Sequence, residues 1–322
     1  MTMVAFPSST ASIVWSDIVR PFPLCILLSL VCACSDAPPP TASSSQPTLA
    51  SQVSTVPASQ NGFGFCSFSK EALSFAGTPL QQTLCLLTPV RRYAQLGEQL
   101  TELPPTLAAM MTGVEGVPSV AAVEAYLRAE GVTPDAVGGL LSGPVARTQE
   151  GLPARYFVIH DTSTPYFLDE PFPADIDRSE RVNTFRYYEN RKAAHLFINR
   201  RGDVRLYHDF SVPWRATRLE VDVVGLRSRG RFIHIELIQP RRRDPAGGAK
   251  NDAIAPSPGF TQAQYLRLSQ AYIVASARAG RWMIPTYHSV MDNGISGAHD
   301  DPQGFSLSDW DKTLGQVLEG TK

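Results

Sequence analysis

The segment Phe232–Ile238 reads Phe-Ile-His-Ile-Glu-Leu-Ile and alternates with the period of a β-strand. Ile233, Ile235 and Leu237 fall on one face, and Phe232, His234, Glu236 and Ile238 on the other. A carboxylate inside so apolar a strand is expensive unless something pairs with it. The segment therefore commits the chain to a sheet and asks for a partner for Glu236.

Neighbouring segments extend the pattern. Arg155–His160 is β-branched and aromatic, so it reads as a strand, which Asp161-Thr162-Ser163 then breaks. His160 thus sits at a strand end, where functional side chains often project. Ala194–Asn199 and Val204–His208, joined by Arg200-Arg201-Gly202-Asp203, read as a β-hairpin. Thr261–Ala279 reads as a helix, with Thr261 and Gln264 as a capping box and Leu266, Ile273 and Ala277 as an apolar stripe. The stretch beyond this helix reads as a loop that holds Tyr287-His288, then Gly297–Pro302, then Trp310.

The six histidines, His160, His195, His208, His234, His288 and His299, all lie beyond residue 159. Any imidazole chemistry belongs to the second half of the chain. A formal net charge of −1 gives no case for a nucleic-acid partner. Locally, residues 178–243 hold 16 Lys or Arg against 7 Asp or Glu. That excess suits either a face turned toward an anionic polymer or an ordinary solvated surface.

The N-terminus reads as an export signal. Leu24–Ala33 is an apolar run of ten residues, against the ~20 needed to span a bilayer. It has the length of a signal-peptide core. Val31-Cys32-Ala33-Cys34, followed by Ser35-Asp36-Ala37-Pro38, resembles a bacterial lipobox. The resemblance implies removal of residues 1–33 and lipidation of Cys34. An ordinary secretory peptide is the alternative. Ser35 rather than Asp after the cysteine implies sorting to the outer membrane, with the protein facing the periplasm of the cell envelope. Membrane contact would then be through the lipid anchor alone. Residues 34–60 form a Ser/Pro/Thr-rich tether that cannot offset its ordering entropy; it reaches about 28 Å r.m.s..

Export leaves Cys66 and Cys85. Two cysteines in an oxidising compartment are expected to pair; two buried free thiols are the alternative. Residues 61–150 read as a small helical lead-in, broken by Pro89, Pro104-Pro105, Pro118, Pro134 and Pro144. Val120–Glu130 is its clearest helix, closed by Gly131. The region has no histidine and no clustered carboxylates, so a wall-binding module and a structural prop both remain open.

Catalytic zinc takes three His or carboxylate ligands and keeps one position open. His160 at a strand end, His288 in a late loop and a carboxylate 13 residues further on suit that pattern. The order of motifs adds a family. Phe157-Val158-Ile159-His160 is followed by His195 to Asp203, by Pro213-Trp214-Arg215-Ala216-Thr217, and by Ile235-Glu236-Leu237. Thr261 to Gln264, Ile284-Pro285, His288 and His299-Asp300-Asp301-Pro302-Gln303-Gly304-Phe305 complete the series. Across residues 155–310 this set resembles the zinc-dependent N-acetylmuramoyl-L-alanine amidases, the type that includes phage amidases and peptidoglycan recognition proteins.

The resemblance implies an α/β domain over residues 151–322, with a mixed central β-sheet flanked by helices, and a peptidoglycan or muropeptide substrate. It implies zinc (Zn2+) held by His160, His288 and Asp301, with Glu236 as general base. His299 takes the place of the family's lysine and would stabilise the oxyanion. Three departures matter: the Trp214 motif lacks the family's histidine, His299 replaces its lysine, and the 13-residue spacing from His288 to Asp301 is a few residues longer than usual in the family. His299, 11 residues after His288, could instead be the third ligand. Asp301 is preferred, because Asp-Pro and the following Gly-Phe align with it. A non-catalytic peptidoglycan-binding lipoprotein on the same fold is the alternative function.

Overall fold

The computed structural model describes residues 62–249 and 252–322. The expected signal peptide, Cys34 and the tether lie outside the described residues. Five strands form the central sheet: β1 (Tyr156–Asp161), β2 (Leu196–Ile198), β3 (Val204–Leu206), β4 (Phe232–Leu237) and β5 (Ile284–Tyr287). Their spatial order is β3-β2-β4-β1-β5. β2, β4, β1 and β5 run parallel, and β3 is antiparallel to β2 as the second arm of the expected hairpin. The sheet is therefore mixed, and helices flank it.

β1 and β4 are enclosed on both faces, as central parallel strands usually are. Phe157 and Ile159 stand beside Ile233 and Ile235 on one face. There Phe157 meets Tyr272 edge-on at 5.3 Å between ring centres. The opposite face carries His160 beside Glu236 and Val158 beside His234. Polar side chains on that face must find partners within the protein.

Five longer helices are α1 (Pro79–Leu86), α2 (Pro105–Thr112), α3 (Val120–Ala129), α4 (Gln262–Ala279) and α5 (Leu307–Gly320). α4 opens on the expected capping box: Thr261 Oγ1 accepts from Gln264 N at 3.1 Å and Gln264 Oε1 from Thr261 N at 3.2 Å. Gly280 ends it in the left-handed conformation, at φ 64°. The expected stripe needs correction. Ile273 and Ala277 are buried, but Leu266 is exposed. From Leu268 to Ala277 the helix is enclosed all round, because β2, α3 and α5 pack against it.

The stretch after α4, expected as a loop, begins with strand β5. Pro285 argues against a strand by pattern, yet β5 is the sheet edge, where a missing N–H is tolerated. His288–Met291 then makes one helical turn. Trp310 sits on α5, buried with Leu314, Val317 and Leu318 at helical spacing.

The described part of the lead-in shares its apolar core with the sheet. Phe75 meets Tyr156 edge-on at 5.2 Å, and Tyr156 Oη accepts from Phe75 N at 2.9 Å. A disulfide joins Cys66 to Cys85, tying the Phe68–Phe75 hairpin to α1. α2 has no side-chain cap of its own. Asp311 of α5 supplies one, accepting from Leu107 N at 2.8 Å and Thr106 N at 3.3 Å. These contacts make the lead-in part of the structure that supports β1, β4 and β5.

Candidate metal centre

The carboxyl ends of β1, β4 and β5 converge, which is where parallel α/β sheets place their ligands. His160 and Glu236 are register partners on adjacent parallel strands, so their side chains leave the sheet on one face. His288 follows β5 directly. Asp301 comes in from the loop before α5; its backbone oxygen accepts from Ser289 N at 2.9 Å and its Oδ2 from Asp161 N at 3.1 Å.

His160 Nδ1 lies 3.0 Å from His288 Nδ1. Asp301 Oδ2 is 3.1 Å from His288 Nδ1 and 3.7 Å from His160 Nδ1. The donor atoms of His160, His288 and Asp301 all lie within 4.8 Å of one another, and all three residues are buried. Glu236 Oε1 stands 4.0 Å from His160 Nδ1, while its Oε2 is buried without a hydrogen bond.

The donor chemistry fits a divalent ion. His288 Nε2 donates to Asp292 Oδ2 at 2.8 Å, and His160 Nε2 meets His234 Nδ1 at 3.1 Å. With the outer nitrogens so engaged, two Nδ1 lone pairs and a carboxylate face one point. Such a set is repulsive unless a cation or a proton lies among its members. Two imidazoles and one carboxylate, each with an outer hydrogen-bond partner, match the ligand set of open zinc sites.

Titration in the absence of an ion follows the same logic. Burial opposes charge on His288, but Asp301 and Asp292 outweigh it and hold His288 well above the ordinary histidine value. Burial, then His288 and His234, push His160 well below it. Burial, then Asp301, raise Glu236 well above the usual carboxylate range. A dication lowers all three: it opposes the upward shifts of His288 and Glu236 and adds to the downward shift of His160.

His299 stands at the mouth, its side chain 61% exposed, with Nδ1 3.8 Å from Asp301 Oδ1. It is not part of the buried donor group. A groove of about 850 Å³ opens beside it, with Tyr93, Tyr166, Leu168, Arg241 and Asp300 among its walls. Below the groove, buried Asp161 accepts from Arg241 Nη2 at 2.6 Å, Ser163 N at 2.9 Å and Gln303 N at 3.0 Å. Burial pushes Asp161 up to about 6 against the pull of Arg241. This carboxylate ties the loop after β1 to the loop that carries Asp301. Much of the local arginine excess is spent in such pairs: Arg200 with Asp177, Arg201 with Glu180, Arg218 with Asp222 and Arg243 with Asp169.

His234, Glu220 and Asp292 also belong to the site and were not singled out by sequence. His234 had a signal, since it shares a strand face with Glu236. Asp292 had a weaker one, four residues after His288 and hence one helical turn away. Glu220 had none; a tertiary contact brings it to His234.

No protein-family model and no curated protein matches the chain. Among solved structures, it is similar to the crystal structure of a selenomethionine AmpD derivative at 17% identity, over 55% of this chain and 97% of that one. The TM-score is 0.30, a level of likeness that carries no inference about activity.

Proposed function

We propose that this chain is a zinc-dependent N-acetylmuramoyl-L-alanine amidase, held at the outer membrane by a lipid on Cys34 and acting on peptidoglycan from the periplasmic side. One observation carries the hydrolase reading: His160, His288 and Asp301 converge at buried strand ends, with Glu236 Oε1 4.0 Å from His160 Nδ1 and its other oxygen buried without a hydrogen bond. The choice of bond rests on the ordered motifs between residues 155 and 310.

His160, His288 and Asp301 would hold the metal. When bound, zinc supplies Lewis acidity toward a carbonyl and makes water a stronger acid. Glu236 takes the proton of the attacking water and returns it to the leaving L-alanine amine. Its position suits that task, with Oε1 4.0 Å from His160 Nδ1 at the donor group. His299, at the rim, donates a hydrogen bond to the oxygen that gains negative charge. The groove beside it is large enough for several residues of a stem peptide.

The test is digestion of purified peptidoglycan by the zinc-loaded protein. Stem peptides with a free L-alanine amine are the expected product. Cleavage within the glycan or between stem residues would overturn the amidase reading, and tight binding without any product would favour the wall-binding alternative.

A further inference from the structure

The Ala216–Glu220 turn supplies none of the three donors, yet it reaches both ligand histidines. Through backbone amides it fixes Asp292, which accepts from Arg218 N at 2.8 Å and from Leu219 N at 2.9 Å. Asp292 in turn holds His288 Nε2. The turn ends at Glu220, which is fully buried. Glu220 Oε2 accepts from Thr217 Oγ1 at 3.0 Å, Ala216 N at 3.1 Å and Thr217 N at 3.2 Å. The same oxygen lies 3.1 Å from Nε2 of His234, itself fully enclosed. That contact is an ion-pair distance rather than a formed hydrogen bond, and both His234 Nε2 and Glu220 Oε1 are buried without a hydrogen bond.

Proton positions from Glu220 to His160 are then fixed one by one. A carboxylate oxygen ringed by N–H and O–H donors is an acceptor, so His234 carries its proton on Nε2. With the proton of His234 on Nε2, its Nδ1 offers a lone pair, and it accepts from His160 Nε2 at 3.1 Å. His160 Nδ1 is left bare, facing His288 and Asp301. His234 is itself held firmly: its backbone N–H donates to His195 Nδ1 at 3.1 Å, and the two rings stack at an interplanar angle of 15°.

We propose that Glu220 and His234 are positioning residues that set the tautomer of His160, so that its ring presents Nδ1 to a divalent ion. The proposal rests on the reading of His160, His288 and Asp301 as metal ligands. It distinguishes the two sides of the site: His288 is oriented by one carboxylate directly, and His160 by a carboxylate acting through a second imidazole.

The experiment uses the full chain, wild type and variant, with Co2+ as the probe. Affinity is read by chelator competition and geometry by the visible spectrum. Glu220→Gln and His234→Leu are expected to weaken Co2+ binding about 10–100-fold and to change the spectrum. His234→Asn keeps an acceptor near the position of Nδ1 and should stay within a few-fold of wild type. Long-range 1H–15N spectra of the ion-free wild type should show His160 protonated on Nε2. Folded Glu220→Gln protein with wild-type affinity and spectrum, in a chain whose wild type binds one ion, would overturn the proposal and leave the metal site standing. A wild type that binds no ion would overturn both. Should His234→Leu fail to fold, the His160 tautomer decides, and protonation on Nδ1 would overturn the proposal.

Discussion

Replacing Glu236 by glutamine separates a catalytic carboxylate from a structural one. The two side chains are nearly isosteric, so the pairing of residue 236 with His160 across β4 and β1 is undisturbed. Glutamine cannot accept a proton. Loss of a general base lowers turnover by about 10²–10⁴, or about 3–5 kcal/mol in the barrier. The stability of the ion-free protein should move the other way. Oε2 of Glu236 is buried without a hydrogen bond, and burial, then Asp301, hold the carboxyl well above its ordinary value of 4.5. A carboxyl raised on folding contributes its full stability below the unfolded pKa, and that contribution is lost as pH rises through the folded one. Within that window wild type loses up to about 1.4 kcal/mol per pH unit from this group, and Glu236→Gln loses none from this position. Urea unfolding of chelator-treated protein at a series of pH values should therefore show the variant gaining on wild type as pH rises. Release of stem peptides from purified peptidoglycan supplies the other readout. Near wild-type release by zinc-loaded Glu236→Gln would refute the catalytic role. A variant less stable at every pH, with full activity in its folded fraction, would make Glu236 a structural residue.

Three further outcomes are expected. Reducing the Cys66–Cys85 bond should cost about 3 kcal/mol for a loop of this size, seen as a Tm lowered by several degrees in calorimetry with reductant; an unchanged Tm would show that the hairpin and α1 are held by packing alone. Asp311→Ala removes the acceptor for Thr106 N and Leu107 N and should cost about 1–2 kcal/mol, as cap losses do, with faster amide exchange in the first turn of α2; unchanged exchange there would contradict the capping role. Mass spectrometry of mature protein from a bacterial envelope should find a diacylglyceryl Cys34 at the N-terminus, and a free N-terminus at another residue would reject the lipidation.

Alternation and capping made much of the fold legible. Phe232–Leu237, Tyr156–Asp161 and the hairpin arms keep the strand period, and Thr261 with Gln264 marks the start of α4. β5 was hidden because Pro285 reads as a breaker until the strand is known to lie at an edge. The stripe on α4 was misplaced because the helix is enclosed all round, so Leu266 carries no more weight by pattern than its buried neighbours. At the site, the order of motifs brought together His160, His288 and Asp301, and the fold gathers them from the end of β1, the turn after β5 and the loop before α5. Glu220 was not legible, since a glutamate on a turn looks like a surface charge until the fold brings it against His234. The lead-in gave no sign from its composition that Phe75 and Asp311 link it to β1 and α5.

Metal content tests the central claim most directly. Wild type, His160→Ala and His288→Ala would be purified alike, equilibrated with Zn2+, freed of excess and analysed for zinc per chain. The account predicts one zinc in wild type and loss of most of it in both variants, with the Cys66–Cys85 bond and circular dichroism unchanged. Full zinc occupancy in both variants, or none in wild type, would contradict it.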